Sequence, residues 1–313
     1  MSGTYKATGI NLKAMPLGES DRLLTVLTRE LGLIRVVAPG ARKHQSSLRG
    51  RSGLFVLNEL LIAKGRNLDK IIQADSLESY PGLSQDLRKL TASQYVAELV
   101  LYQALSNQPQ EELFCLLREQ LALIERLPGE AILASLAHAT FHLLRLAGVA
   151  PQVYDCCFTK QSVVPDFKIH DWQVGFSIAA GGVVSLSAME QLGMERRWHS
   201  DAKSGFADAS KTLTATGKVS ERAGVYLQRS PASERFIPLT ANQLALLQRL
   251  PQPQAIYGDG TGVPPDHFWL DPPYEDWLSI ERLLRYYAEY HFERPIRSAT
   301  LIDTCFCPVP ALF

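Results

Sequence analysis

Five cations crowd into a stretch of chain that holds no acid. Between Leu31 and Asn58 the sequence carries Arg35, Arg42, Lys43, Arg49 and Arg51 and no Asp or Glu. Like charges repel, so an ordinary wet loop mixes its signs. A run of one sign suits an anionic polymer, and neutralising a phosphate backbone is the chemistry it can do. Ser46 and Ser47 lie in the same run and bring hydroxyls that can donate to phosphate oxygens. Lys64, Arg66 and Lys70 follow on neighbouring elements. For any one of these residues the plain alternative is a solvated surface charge.

Other candidate chemistry is thinner. His138 and His142 stand four residues apart, on one face of a helix, but no third metal ligand accompanies them, so a packed pair is the better reading. Gly258-Asp259-Gly260-Thr261-Gly262 is motif-like, yet no clear strand precedes it and Pro264-Pro265 follows, so it is read as a loop rather than a phosphate cradle. The sequence holds no GxSxG, HExxH or Walker loop and no carboxylate cluster at metal-ligand spacing. The expectation is a protein that is not an enzyme and uses no cofactor.

The bulk numbers bound what these residues can belong to. The chain has 313 residues, 46% of them hydrophobic, with 32 Lys+Arg against 32 Asp+Glu. That length predicts roughly two domains with a sizeable core. The zero net charge excludes a histone-like or tail-driven binder but hides an asymmetry. Residues 1–80 carry 12 basic and 7 acidic residues, and the remainder 20 and 25. A basic head sits on an acidic body, so distribution matters more than the sum. No apolar run approaches the ~18 residues of a membrane span. The N-terminus lacks the apolar stretch of a signal peptide, so a cytoplasmic address without membrane contact is expected. Five cysteines, two of them adjacent at Cys156 and Cys157, do not make a disulfide framework.

The elements that must position the basic run read as strands. Tyr5–Met15, Leu23–Thr28, Leu33–Ala38, Leu54–Ala63 and Lys70–Leu77 are short apolar or alternating runs separated by Gly-rich and polar turns. Five strands in about eighty residues suggest a closed barrel, because closure removes exposed edges. The oligonucleotide-binding (OB) fold is a common five-stranded solution. The basic run then falls on the third strand and the loop joining it to the fourth, where a groove can track a phosphate backbone. Aromatics are few: Tyr5, Phe55 and Tyr80. Stacking is therefore not expected to dominate, and Phe55 reads as core.

Beyond Pro81-Gly82 the periodicity turns helical. Helices are expected over Gln85–Ser106, capped by Ser84, with Leu87, Leu90, Val96, Leu99, Leu101 and Leu105 as its stripe, then over Glu111–Leu127 and Glu130–Ala147. Short links between three consecutive helices read as a bundle. Gln152–Pro238 loses the helical period and reads as an insertion of short strands with a polar loop at Ser200–Ser220. Phe167, Trp172, Val174, Phe176 and Ile178 are its expected packing residues. Helices return at Leu239–Leu250, with Thr240 and Gln243 in capping-box spacing, and at the aromatic-rich Tyr274–Glu293. The fold class is α+β: a barrel domain over 1–81, then a helical domain over 82–313 with a β-rich inserted lobe at about 152–238.

A family resemblance joins these pieces. Gly18-Glu19-Ser20-Asp21, Leu27-Thr28-Arg29-Glu30-Leu31-Gly32, Val37-Ala38-Pro39-Gly40-Ala41-Arg42-Lys43 and Ser46-Ser47-Leu48-Arg49-Gly50 resemble the N-terminal pattern of RecO, a bacterial recombination mediator of DNA repair. Tyr95-Val96-Ala97-Glu98-Leu99, Leu113-Phe114, Leu116-Leu117, Gly148-Val149-Ala150-Pro151 and the segment from Trp277 to Arg297-Ser298 continue it. The resemblance covers residues 1–185 well and 239–300 loosely. Each motif is weak alone; their order and spacing carry the match.

The resemblance implies an OB-fold barrel followed by a helical domain. It implies binding of single- and double-stranded DNA, annealing of complementary strands, and loading of RecA with RecR in the RecF pathway. It also implies docking of the acidic, apolar C-terminal tail of the single-stranded-DNA-binding protein on the helical domain, where Arg118, Arg126 and Arg145 are candidate rim cations. The DNA-binding set would be Arg35, Arg42, Lys43, Arg49, Arg51, Lys64, Arg66 and Lys70. The rival reading is a protein-only scaffold whose basic patch meets an acidic partner. One departure stands out. Many RecO proteins bind zinc through two CxxC pairs. Here those positions read Cys156 and Thr159, then Ser185 and Ala188. A closed zinc site needs four ligands, so no metal is expected.

Overall fold

A computed structural model of the chain describes residues 3–191, 236–252 and 273–306. The stretch Ser200–Ser220 and the Gly258–Gly262 motif lie outside the described residues. Two compact units emerge, residues 1–147 with 294–313 and residues 148–293.

The first unit opens with five strands: β1 (Thr4–Leu17), β2 (Asp21–Thr28), β3 (Gly32–Ala38), β4 (Leu57–Ala63) and β5 (Asp69–Glu78), with a single-turn helix α1 (Leu48–Arg51) between β3 and β4. They close into a barrel of order β1-β2-β3-β5-β4, in which β3 and β5 are parallel and the other pairs antiparallel. This is the OB-like barrel that the strand count predicts. Closure works because β1 is long and bulged between Asn11 and Lys13, so it pairs with β4 through its first half and β2 through its second. Alternation then fills the interior with Ala7, Leu24, Val26, Val36, Ala38, Leu60, Ile62, Ile71 and Ala74, while Leu48 of α1 joins the same core. The fourth strand starts at Leu57 rather than Leu54. Phe55 takes φ 61° and donates its N–H to Asn11 O, which turns the chain before pairing begins.

Three helices follow: α2 (Leu87–Gln103), α3 (Glu111–Arg126) and α4 (Ile132–Leu146). Asp86, not Ser84, caps α2, accepting from Arg88 N; Ser84 sits in a 3-10 turn and bonds back to Pro81 O. The buried stripe of α2 is Thr91, Ala92, Tyr95, Val96, Leu99 and Val100, and Leu87 and Leu105 are exposed. Val96 and Leu99 of the expected stripe are buried, but the face is completed by Thr91, Ala92, Tyr95 and Val100 rather than by the flanking leucines. A 3-10 turn at Gly129–Ala131 precedes α4. The barrel is tied to α3 by ion pairs Arg29–Glu111 and Arg118–Glu78, and Leu33 N donates to Leu105 O at 2.8 Å. The expected boundary at 81/82 thus lies inside this unit. A last helix, present beyond the expected ones, belongs here too (Ala299–Phe306, labelled α8 in chain order). Glu98 of α2 accepts from Arg297 N, Ser298 N, Ser298 Oγ and Tyr102 Oη, fixing its start.

The second unit combines strands β6 (Gln173–Ser177), β7 (Gly182–Val184) and β8 (Phe236–Thr240) with helices α5 (Leu186–Gln191), α6 (Ala241–Arg249) and α7 (Tyr274–Phe292). Its sheet order is β7-β6-β8. Leu239 belongs to β8, not to a helix, because Phe236–Thr240 pairs in register with β6. Thr240 then caps α6 in the expected box with Gln243. Val174 and Phe176 are core, but Phe167 is 65% exposed. On α7, Trp277 and Tyr287 are buried, and Phe176 meets Tyr287 edge-on at 5.8 Å.

Candidate nucleic-acid interface

The barrel's connections decide where the cations go. The turn between β1 and β2, the loop after β3 and the start of β5 meet at one end, because Arg22 pairs with Ala38 and Val37 with Lys70. Asp21 organises this end. Its Oδ1 accepts from Gly40 N and Ser20 Oγ, each at 2.8 Å. The Gly40 and Ser20 hydrogen bonds, with Lys43 and Lys70 nearby, hold its carboxyl below the usual range. Arg42 reaches the same turn, donating from Nη1 to Gly18 O at 2.9 Å. Lys43 and Lys70 therefore lie near one acid already hydrogen-bonded within this end, and Arg42 reaches the adjoining turn at Gly18.

The other expected residues divide. Arg35 is exposed on β3, two residues before Val37. Arg49 is exposed on α1, whose end is held by Arg22 Nη1 donating to Ser52 Oγ at 2.9 Å. Lys64 and Arg66 are exposed on the loop between β4 and β5, which Asp69 braces by accepting from Gly65 N and Tyr5 Oη. Arg51 stands apart. Its guanidinium is 3.8 Å from Asp75, and its carbonyl accepts from both Asn11 and Asn58. Its backbone thus anchors α1, while its side chain shares the surface with a carboxylate. Among the described residues none of the other seven has a carboxylate within ion-pair distance.

Next to Lys43 lies an open cleft of about 530 Å³ lined by Gly40, Lys43, His44, Gln45 and Ser46. No aromatic platform accompanies it. Phe55 is 3% exposed, and Tyr5 and Tyr80 are half-buried with their hydroxyls bonded to Asp69 and Glu78. Burial first, then those carboxylates, raise both phenol pKa values. Two contributors escape a reading by charge runs. His44 sits in the cleft, and Lys13 lies on β1 opposite Thr25, whose other neighbour is Arg35. Pairing register, which places Lys13 and Arg35 on either side of Thr25, is the signal that finds it.

Comparison with known proteins agrees. Residues 1–80 match the family described as Recombination protein O N terminal, and residues 84–183 match Recombination protein O C terminal. The chain is 54% identical over 309 residues to a DNA repair protein RecO of Nostoc sp., covering 98% of this chain and 97% of that one. It is 52% identical over 321 residues to the one from Cyanothece sp., covering 100% of both. The Synechococcus elongatus protein of the same name is 42% identical over 304 residues, covering 97% and 96%. The chain belongs to the RecO family. Its general role is in DNA repair.

Two family features meet local chemistry that differs. The positions where many RecO proteins carry zinc cysteines do come together here, but they do not fit a metal. Cys156 Sγ accepts from Ser185 N at 3.4 Å and Ser185 Oγ at 3.5 Å, and Ala188 N donates to Ser185 Oγ. Burial raises the thiol's pKa, and donors from Ser185 and Thr159 outweigh it, bringing the value down to about 6. A zinc needs three further ligands, which Thr159, Ser185 and Ala188 do not supply. Of the candidate tail-binding cations, Arg118 is held by Glu78, Arg126 folds back onto Ala122 O, and Arg145 is exposed. His138 is fully buried beside Gln120, its ring 4.1 Å from that of His142. Burial, then His142, drives its pKa well below the usual value. No described helix is long and apolar enough to cross a membrane.

Proposed function

We propose that this RecO chain binds single- and double-stranded DNA through the cationic end of its barrel and anneals complementary strands. With RecR it assists loading of RecA in the RecF pathway, working in the cytoplasm on the nucleoid, and it catalyses no bond chemistry. The observation that carries this reading is the gathering of Lys43 and Lys70 near Asp21 with Arg42 on the neighbouring Gly18 turn, and Lys64, Arg66, Arg49 and Arg35 exposed on adjoining elements. Annealing requires two repelling strands to approach. Cations that neutralise phosphates lower that repulsion and leave base edges free to pair. The absence of an exposed aromatic platform among the described barrel residues favours quick release of bases. The partner surfaces for RecR and the single-strand-binder tail belong to the same proposal by family, with no rim of free arginines on α3.

The test is the double charge reversal Arg42→Glu/Lys43→Glu. It is expected to weaken binding to oligonucleotides of every sequence. Loss of two phosphate contacts lowers the single-strand salt slope by about 1.4, at roughly 0.7 per contact. Annealing of oligonucleotides coated with the cognate single-strand binder slows in step. Unchanged affinity and slope would remove the basis of the proposal and favour an acidic protein partner instead.

A further inference from the structure

We infer that Asp21 is a resident counter-ion of the cationic end: one carboxylate oxygen holds the loop that carries Lys43, and the charge competes with bound phosphate and speeds release of DNA. This rests on the DNA-binding reading above and assigns to the same site a positioning residue that sets how long a strand stays. Asp21 opens β2 and is paired with Leu17 across the β1–β2 turn. Its Oδ1 accepts from Gly40 N and from Ser20 Oγ, each at 2.8 Å. Arg42 N donates to Ser20 O and Lys43 N to Gly40 O, each at 2.9 Å. The loop after β3 is therefore laced to the β1–β2 turn through Ser20, Asp21 and Gly40.

The lysines are placed against this lacing. Gly40 turns in the left-handed region at φ 65°, and a Cβ there would meet Lys43 Cδ at 3.7 Å. The Lys43 side chain thus lies over the residue that Asp21 grips, and both Gly40 and Lys43 line the open cleft. Lys70 comes to the same end by pairing with Val37, the neighbour of the Ala38 that pairs with Arg22. The Gly40 and Ser20 hydrogen bonds do most to lower the Asp21 pKa, and the charges of Lys43 and Lys70 add to it.

Half of this carboxylate is unused. Among the described residues Oδ2 accepts no hydrogen bond, and neither Lys43 nor Lys70 has a carboxylate within ion-pair distance. A lysine closed into a salt bridge must break it before meeting phosphate. A lysine with no acid nearby keeps the phosphate it has met. An acid that is near but not in contact leaves the ammonium groups available and repels the phosphate that they hold. A protein that brings strands together and then lets them go needs both properties at one place.

Substitution separates the two roles. Asp21→Asn keeps an oxygen for Gly40 N and Ser20 Oγ and removes the charge. It is expected to tighten binding to single-stranded and duplex oligonucleotides about two- to fivefold at low salt, read by fluorescence anisotropy. Dissociation in stopped flow and annealing slow in step. The gain shrinks as salt rises, because screening shortens the reach of a charge, a dependence that a purely structural role does not produce. Asp21→Glu keeps the charge and does not tighten binding. Asp21→Ala removes the acceptor as well, so amide hydrogen exchange at Gly40 quickens about tenfold and binding is weaker than in Asp21→Asn. If Asp21→Asn binds no tighter than wild type, tightens by a factor that salt leaves unchanged, or is matched by Asp21→Glu, the counter-ion role falls. If Gly40 exchanges equally fast in wild type and Asp21→Ala, the holding role falls. In either case a continued loss of binding in Arg42→Glu/Lys43→Glu leaves the DNA-binding reading standing. A double reversal without effect overturns that reading itself.

Discussion

The barrel and the three-stranded sheet of the second unit handle the same problem in opposite ways. Both are small β elements with backbone groups to satisfy. In the barrel every strand has two neighbours, so no edge remains and the apolar alternation suffices to fill the interior. Its polar side chains are released to the outside. The sheet β7-β6-β8 has two edges to protect. Pro238 occupies β8 opposite Gly175. Along β7, Val183 N donates to Gln152 O and Cys157 N to Val183 O, and the buried Cys156 thiol gathers Ser185 and Thr159 beside it. Polar groups that face outward on the barrel are turned inward here. Closure frees a surface for binding; an open sheet commits its polar chemistry to holding itself together.

The largest expected effect breaks the mounting of the barrel. Gly32 lies at φ 64°, and a Cβ there would stand 2.1 Å from Leu105 O and 2.5 Å from Gln108 O. Both obstacles are backbone, so neither can step aside. Gly32→Ala is expected to cost about 3 kcal/mol or more, combining left-handed strain with the clash. Urea denaturation followed by circular dichroism reads it as a lower midpoint. A cost under about 1 kcal/mol would mean that the Leu33–Leu105 junction does not clamp the barrel to the helices.

The next effect tests the sheet. Cys156→Ala leaves the Ser185 N–H facing no sulfur acceptor and is expected to cost about 1–3 kcal/mol. The wild-type protein should also carry a pH signature. The folded thiol titrates at about 6 against an ordinary value of 9.0. Between those values the unfolded chain binds more protons, so stability rises with pH. The contribution is complete above about 9 and is lost as pH falls through about 6. Chemical denaturation across that window should show the slope in the wild type and not in Cys156→Ser. An identical slope in both would place the proton elsewhere.

The same contrast explains what could be read from the chain. The barrel was legible because alternation and glycine-rich turns are local, and strand ends fell within about three residues of their places. The cation cluster was legible as a run, since Arg42 and Lys43 are neighbours in sequence. Lys13 was not, because its place across Thr25 from Arg35 is created by the β1–β2–β3 register. That Arg51 has Asp75 3.8 Å away was not legible for a similar reason, since the two are distant in sequence. In the second unit, the last two residues of β8 were read into the following helix, since Leu239 continues its leucine pattern and joins the strand only by pairing with β6. Phe167 looked like core because aromatic type, unlike burial, is local. The long-range partners of Cys156 were readable only through family spacing.

The smallest effect sharpens the comparison, because it places a second glycine against a yielding neighbour. A Cβ on Gly175 of β6 would come within 1.9 Å of Met189 Cε, and its next contact, Val184 O, is at an ordinary 3.4 Å. Met189 is buried, yet its terminal methyl can swing about three rotatable bonds. Gly175→Ala is therefore expected to cost about 1 kcal/mol, at the low end for overpacking a core. Removing the obstacle should remove the cost. Gly175→Ala combined with Met189→Ala is expected to be no less stable than Met189→Ala alone, a non-additivity that denaturation midpoints resolve. Additive losses would show that the methyl group at Gly175 meets a backbone obstacle, as one at Gly32 meets the carbonyls of Leu105 and Gln108, and that the open sheet is no more adaptable than the closed barrel.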